Sequence, residues 1–228
     1  MKPYYQDAAV TIYHGDCREI LPEIDPVDVV ITDPVWPNSS KLLQGWERPV
    51  ELFKEAAALF SGKTERVVIH LGCDSDPRIL CGMPASLPFV RVCWLEYACP
   101  TRKGRVLYIG DVGYIFGKPI KWAKGRMLMP GRFMATPTKD DLKRRQRIPH
   151  KEFGGEPIKG QHPCPRRFQH SSWLVGRFAD GIVLDPFMGS GTTLLAAKRH
   201  NIKSIGIEIE EKYCEIAARR MGQDVLAL

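Results

Sequence analysis

Residues 182–192 read Ile-Val-Leu-Asp-Pro-Phe-Met-Gly-Ser-Gly-Thr, and this stretch most constrains the fold. A short apolar run ends in an acid and a glycine turn, and the helical pattern of Leu194, Leu195, Ala196 and Ala197 starts just after it. Such a strand, turn and helix form the repeating unit of an open α/β sheet, and the turn is where the backbone can approach a ligand. Gly189 and Gly191 leave room for that approach, while Ser190 or Thr192 is expected to cap the helix. The next apolar run, Ser204 to Glu208, again ends in an acid, at the spacing where nucleotide-binding units hold a ribose diol. Together these features predict a cofactor site. Taken alone, the glycine turn is also compatible with a tight strand-to-helix corner, the less favoured of the two readings.

A second run of the same design lies near the start of the chain. Asp28-Val29-Val30-Ile31-Thr32 is followed by Asp33-Pro34-Val35-Trp36. The Asp33 carboxylate and the Pro34 carbonyl are hydrogen-bond acceptors, and Trp36 offers a flat face for a planar ring. Two acceptors beside a stacking platform suit an exocyclic amino group on a base. The bland alternative is a strand-end turn beside a core tryptophan.

Strand patterns fall at 9–13, 28–32, 66–71, 89–97, 106–116, 181–185 and 203–208, and helical patterns at 47–60, 169–179, 192–200 and 211–221. Strands and helices alternate except at 89–97 and 106–116, where Pro100 to Gly104 signals a hairpin. Ligands of open α/β sheets gather beyond the carboxyl ends of the strands, so Asp16, Asp33, Asp185 and Glu208, each at a strand end, are expected to converge.

With these motifs in this order, the chain resembles the β-class, permuted DNA amino-methyltransferases, which act on adenine N6 or cytosine N4. Asp33-Pro34-Val35-Trp36 is similar to the family's Asp-Pro-Pro-aromatic catalytic motif. Asp185, Pro186, Phe187, Gly189, Ser190, Gly191 and Thr192 match its cofactor motif, and Glu208 falls on its ribose-binding acid. The resemblance implies a circularly permuted, Rossmann-like S-adenosylmethionine-dependent methyltransferase fold of α/β class. Its sheet would be mostly parallel and seven-stranded, with one antiparallel edge strand. It further implies that Asp16 and the Cys17 backbone contact the adenine of S-adenosyl-L-methionine. Asp33 and His162 would also contact this cofactor, with His162-Pro163-Cys164-Pro165 closing over its methionine end. Asp33, Pro34 and Trp36 would then be catalytic, with direct methyl transfer to a flipped-out base and no metal. Val35 replaces the family's second proline, so the turn loses one fixed φ angle, although Pro37 restrains Trp36 from the other side. Asp33 favours adenine over cytosine, because the family's cytosine enzymes usually begin this motif with Ser. A cytosine-carbon methylase would also use a Pro-Cys and a glycine turn, but in the opposite order. A methyltransferase fold that binds nucleic acid without turnover is a further alternative, favoured only by Val35.

Charge supports a nucleic-acid partner. The chain of 228 residues carries 33 Lys and Arg against 26 Asp and Glu, a net charge of +7. The excess lies in residues 101–151, which hold 14 basic and 3 acidic side chains. Lys121, Lys124, Arg126, Lys143, Arg144, Arg145 and Arg147 lie in this cluster and are expected to contact the phosphates of double-stranded DNA. Gly and Pro punctuate the same stretch, so residues 118–160 are assigned as a target-recognition insertion. It separates a catalytic half, 1–117, from a cofactor-binding half, 161–228, of one domain. The seven cysteines are scattered without Cys-x-x-Cys spacing, which argues against disulfides and structural zinc. No apolar run reaches membrane-spanning length and no signal-peptide pattern opens the chain, so a cytoplasmic, nucleoid-associated protein is expected, with no membrane partner. The short insertion suggests a homodimer. A cognate restriction nuclease is a possible partner.

Overall fold

The computed structural model describes residues 1–39, 41–103, 105–120, 131–137 and 166–223. Their core is one sheet of nine strands: β1 (Tyr5–Gln6), β2 (Val10–His14), β3 (Val29–Thr32), β4 (Arg66–Gly72), β5 (Phe89–Lys103), β6 (Val106–Gly117), β7 (Arg132–Met134), β8 (Val183–Asp185) and β9 (Ser204–Glu208). Their order in space is β1-β2-β9-β8-β3-β4-β6-β5-β7. From β2 through β4 all pairings are parallel. The last two strands of the sequence therefore sit in the middle of the sheet, between β2 and β3.

The parallel centre is buried on both faces, which is why its strands read as unbroken apolar runs. Val30, Val67 and Ile69 join one core cluster, and Val29, Ile31 and Val68 join another. The first cluster is covered by the short α1 (Cys17–Ile20) and by α2 (Pro49–Ala58), which Pro49 opens and whose Phe53, Ala56 and Ala57 face inward. The second packs under α3 (Phe168–Phe178) through Leu174, Val175 and Phe178, and under α4 (Thr192–Arg199) through Ala196 and Ala197. A third cluster joins β2 and α4 to α5 (Glu211–Gln223) through Cys214, Ala217 and Met221.

All seven expected strands and four expected helices are present, and the sheet differs from expectation at its margins. Strands β1 and β7, of two and three residues, are too short to leave a periodic pattern. The expected antiparallel strand is β6, and it lies inside the edge. It returns from the hairpin to pair with β4, leaving β5 outside it and β7 beyond β5. A third antiparallel pairing, β1 with β2, closes the far side. The six described cysteines, Cys17, Cys73, Cys81, Cys93, Cys99 and Cys214, are free thiols. No helix among the described residues is long and apolar enough to cross a membrane.

Candidate active site

The carboxyl ends of β2, β9, β8 and β3 lie side by side, and the four acids that follow or close them meet at one cavity. That cavity, of about 260 Å³, is lined by Asp16, Cys17, Asp33, Pro34, Trp36, Asp185, Pro186, Phe187, Gly189, Ser190, Thr192 and Glu208, among others. Every expected catalytic or cofactor residue that the structure describes is among them except Gly191, which belongs to the same loop but does not line the cavity. His162 and the basic residues Lys121, Lys124, Arg126, Lys143, Arg144, Arg145 and Arg147 fall outside the described residues.

Each acid is held by a different device. Asp16 caps α1 by accepting from the backbone N–H of Arg18 and pairs with the Arg18 side chain at 2.6 Å. Asp185 is buried at the end of β8, where it accepts from Thr32 Oγ1 at 2.7 Å and from the Phe187 amide at 3.2 Å. Glu208 accepts the Gly189 amide at 3.0 Å on one oxygen and the Glu210 amide at 2.8 Å on the other. The glycine loop is thereby tied to the next strand through the acid expected at the ribose.

Positive φ angles at Gly189 (50°) and Gly191 (77°) shape this loop. A Cβ on Gly191 would lie 2.9 Å from the Cβ of Ala217, so α5 packs directly against the turn. The expected helix cap is not made by Ser190 or Thr192. The residue before α4 is Gly191, with no side-chain cap. Both hydroxyls instead face Arg220, whose Nη1 also donates to the Ser190 carbonyl at 2.5 Å.

Sequence reasoning missed the partner of Asp33. Arg166 grips it with a bidentate fork, Nε to Oδ2 at 2.6 Å and Nη2 to Oδ1 at 2.7 Å. The same guanidinium lies 4.9 Å from the ring centre of Trp36, and its Nη1 is 3.5 Å from Asp111. Arg166 therefore lies inside the site, and only 14% of its side chain is exposed. Behind it, buried Asp111 of β6 collects His70 of β4, His170 of α3 and Tyr97 of β5. No local spacing announces this group, because its members come from four elements.

A DNA methylase family model for N6/N4 enzymes matches residues 149–219, which include the loop and the strand end carrying Glu208. The orphan methyltransferase M.BamHII of Bacillus amyloliquefaciens is 42% identical over 84 residues, 35% of this chain and 32% of that protein. Over residues 149–219 the chain is thus similar to the N6/N4 DNA methylases. The matched stretches span a third or less of the curated relatives' length. Two solved structures extend the likeness of fold over nearly the whole chain. An M1.HpyAVI–SAM complex has a TM-score of 0.62 at 23% identity, covering 93% of this chain and 98% of that one. The PvuII DNA methyltransferase, described as cytosine-N4-specific, has a TM-score of 0.68 at 18% identity, covering 96% and 88%.

The electrostatics of the cavity divide it in two. On the loop side, burial raises the Asp185 carboxyl to about 6 and the Glu208 carboxyl to about 7, against the amide and hydroxyl bonds that oppose the rise. On the Asp33 side, burial also works against the Asp111 charge, but hydrogen bonds from His170 and His70 and the charge of Arg166 outweigh it. Asp111 is held well below the usual carboxylate range. Burial lowers His70, which favours its neutral form.

Proposed function

We propose that this chain is an S-adenosyl-L-methionine-dependent, site-specific DNA methyltransferase that methylates the exocyclic amino group of adenine at N6. The observation that carries the reading is the convergence of Asp33, Pro34 and Trp36 with Asp16, Asp185, Glu208 and the glycine loop on one cavity.

The donor set fits the cofactor. Glu208 and Asp16 offer acceptors for ribose hydroxyls and an adenine amino group, and Asp185 supplies negative charge deeper in the cavity. Pro34, Phe187 and Met188 provide apolar wall, and the loop around Gly189 brings backbone to the rim. When bound, the cofactor supplies an electrophilic methyl group on a sulfonium.

The chain's own work is to hold the nucleophile. An amino nitrogen conjugated to a ring is a poor nucleophile until its lone pair is directed at the methyl group. The Asp33 carboxylate and the Pro34 carbonyl accept hydrogen bonds from that amino group and orient it. The carboxylate also offsets the positive charge that grows on nitrogen before a proton leaves. A carboxylate has about four lone-pair sites, so the two bonds from Arg166 leave acceptor capacity for a base. A base inside a duplex cannot reach this cavity and must be flipped out, and stacking on Trp36 offsets part of that cost. The basic insertion, residues 118–160, supplies the phosphate contacts through Lys121, Lys124, Arg126, Lys143, Arg144, Arg145 and Arg147, and His162 closes the methionine end. Residues 1–117 and 161–228 act as the catalytic and cofactor-binding halves.

Cytosine N4 is the second reading, favoured by the likeness of fold to the cytosine-N4-specific PvuII enzyme. Nucleoside mass spectrometry separates the two after duplex DNA is incubated with methyl-labelled S-adenosylmethionine, beside Asp33→Ala. Label on adenine N6, lost in the variant, is the expected result. Label on cytosine N4 reverses the base, and no label on DNA with cofactor bound removes the reading. A homodimer and a partner nuclease belong to the same proposal, the first testable by the solution mass of the full chain.

A further inference from the structure

The buried group behind Asp33 has no part in the chemistry above, and its geometry gives it one. Asp111 is 2% exposed, yet its carboxylate meets donors on both oxygens. Oδ1 accepts from Tyr97 Oη at 2.6 Å and faces Arg166 Nη1 at 3.5 Å. Oδ2 faces His170 Nδ1 at 2.7 Å and His70 Nε2 at 3.2 Å. His170 is itself fixed, with Nε2 3.3 Å from the Glu96 carbonyl and its ring stacked on Tyr97 at 5.2 Å. The ligand-type atoms of His70, Asp111 and His170 lie within 4.8 Å of one another, as in a metal site. They are already engaged with one another, and a guanidinium stands beside the same carboxylate. The group is a hydrogen-bonded hub that meets the cavity through Arg166 and His70, both of which line it.

We propose that Asp111 is a positioning residue for methyl transfer, acting through Arg166 on Asp33; this rests on the proposed function. A fork on Asp33 alone would leave the guanidinium free to swing about the pair. Two further contacts prevent this: the turn of Nη1 toward Asp111 and the approach of the guanidinium to Trp36. The plane of the Asp33 carboxylate is thereby fixed relative to the face on which the base would stack. A misalignment of the acceptor by a fraction of an ångström lowers the rate without weakening the cofactor site, because alignment enters the barrier directly. Breaking a buried charge pair also lowers stability, so a change in stability alone does not identify the role.

The test is a double-mutant cycle on the full chain, with kcat and KM for unmethylated plasmid DNA and calorimetric S-adenosylmethionine affinity measured for each protein. Asp111→Asn keeps the volume of the side chain and is expected to lower kcat tenfold or more, with cofactor affinity within twofold of the wild type. Arg166→Ala is expected to lower kcat at least as much. In the Arg166→Ala background, Asp111→Asn is expected to cost nothing further. Arg166→Lys keeps the charge but not the fork, and is expected not to rescue. If Asp111→Asn fails to bind cofactor, Tyr97→Phe replaces it in the cycle, with a severalfold loss of kcat in the wild type and none beside Arg166→Ala. A wild-type kcat in Asp111→Asn, or losses that add in the double variant, overturns the inference and leaves the proposed function standing. Wild-type protein that binds cofactor but transfers no methyl group to any DNA overturns both.

Discussion

Thr32 and Asp185, 153 residues apart, share a buried hydrogen bond of 2.7 Å from Oγ1 to Oδ1. It crosses the boundary between β3, which leads to Asp33, and β8, which leads to the glycine loop. The two halves of the cavity are thus joined side chain to side chain as well as through the sheet.

Thr32→Val removes the donor without changing the shape of the side chain. Asp185 keeps the Phe187 amide and the Thr193 hydroxyl but loses the Thr32 donor in a site that already raises its pKa to about 6. A buried acceptor left short of a donor costs about 1–3 kcal/mol, so the urea midpoint of Thr32→Val should fall by that equivalent with the m-value unchanged. Thr32→Ser, which keeps the hydroxyl, should recover most of it.

Gly191→Ala tests the turn. The position has a φ of 77°, and an added Cβ would come within 2.9 Å of the Ala217 Cβ. Left-handed backbone costs a non-glycine residue about 1–2 kcal/mol, and the clash requires α5 or the loop to move as well. Unfolding of the apo protein should show a loss of at least that size, together with weaker cofactor binding. If stability falls while cofactor affinity is unchanged, the loop and α5 are not mechanically linked.

The four acids of the cavity were legible in the sequence because each closes or follows an apolar run. A parallel strand puts the residue after its last apolar position at the sheet's carboxyl edge, so Asp16, Asp33, Asp185 and Glu208 needed only the strands to be found. Thr32, Arg166, Asp111, His70 and His170 had no such handle. Arg166 reaches Asp33 across 133 residues, from just before α3 to the residue after β3, and His170 reaches Asp111 across 59, from α3 to β6. Ser190 and Thr192 misled for a related reason: the spacing suits a cap, but an arginine on another helix engages both hydroxyls.

Asp7 gives a stability prediction away from the cavity. Burial raises its carboxyl, but the Lys198 ammonium at 2.7 Å and the amides of Ala9 and Val10 outweigh that and bring it down from 3.8 to about 2. A depressed acid contributes stability that is fully present above its unfolded value and disappears as pH falls through its folded value. Asp7→Asn should therefore cost about 1–2 kcal/mol at pH 7, and the difference between variant and wild type should shrink from about pH 4 down to about pH 2. Chemical denaturation across that range measures it. A difference independent of pH would mean that shape, not charge, makes the contact.

Glu208 is raised instead, from 4.5 to about 7, chiefly by burial. Between those values the native apo protein holds a proton that the unfolded chain has released. Its contribution to stability thus falls as pH rises through the window, the reverse of Asp7. Cofactor binding should run the other way. An ionised carboxylate accepts from both hydroxyls of a ribose, whereas the protonated group offers one donor, so affinity should rise as pH climbs through about 7. Glu208→Gln removes the titrating group. It should bind S-adenosylmethionine about 10- to 100-fold more weakly at pH 8, the size of a lost charge-assisted contact, and show little pH dependence of its own between 6 and 8. Calorimetric titrations of both proteins over that range decide it, and a wild-type affinity flat across pH 6–8 would separate Glu208 from the ribose.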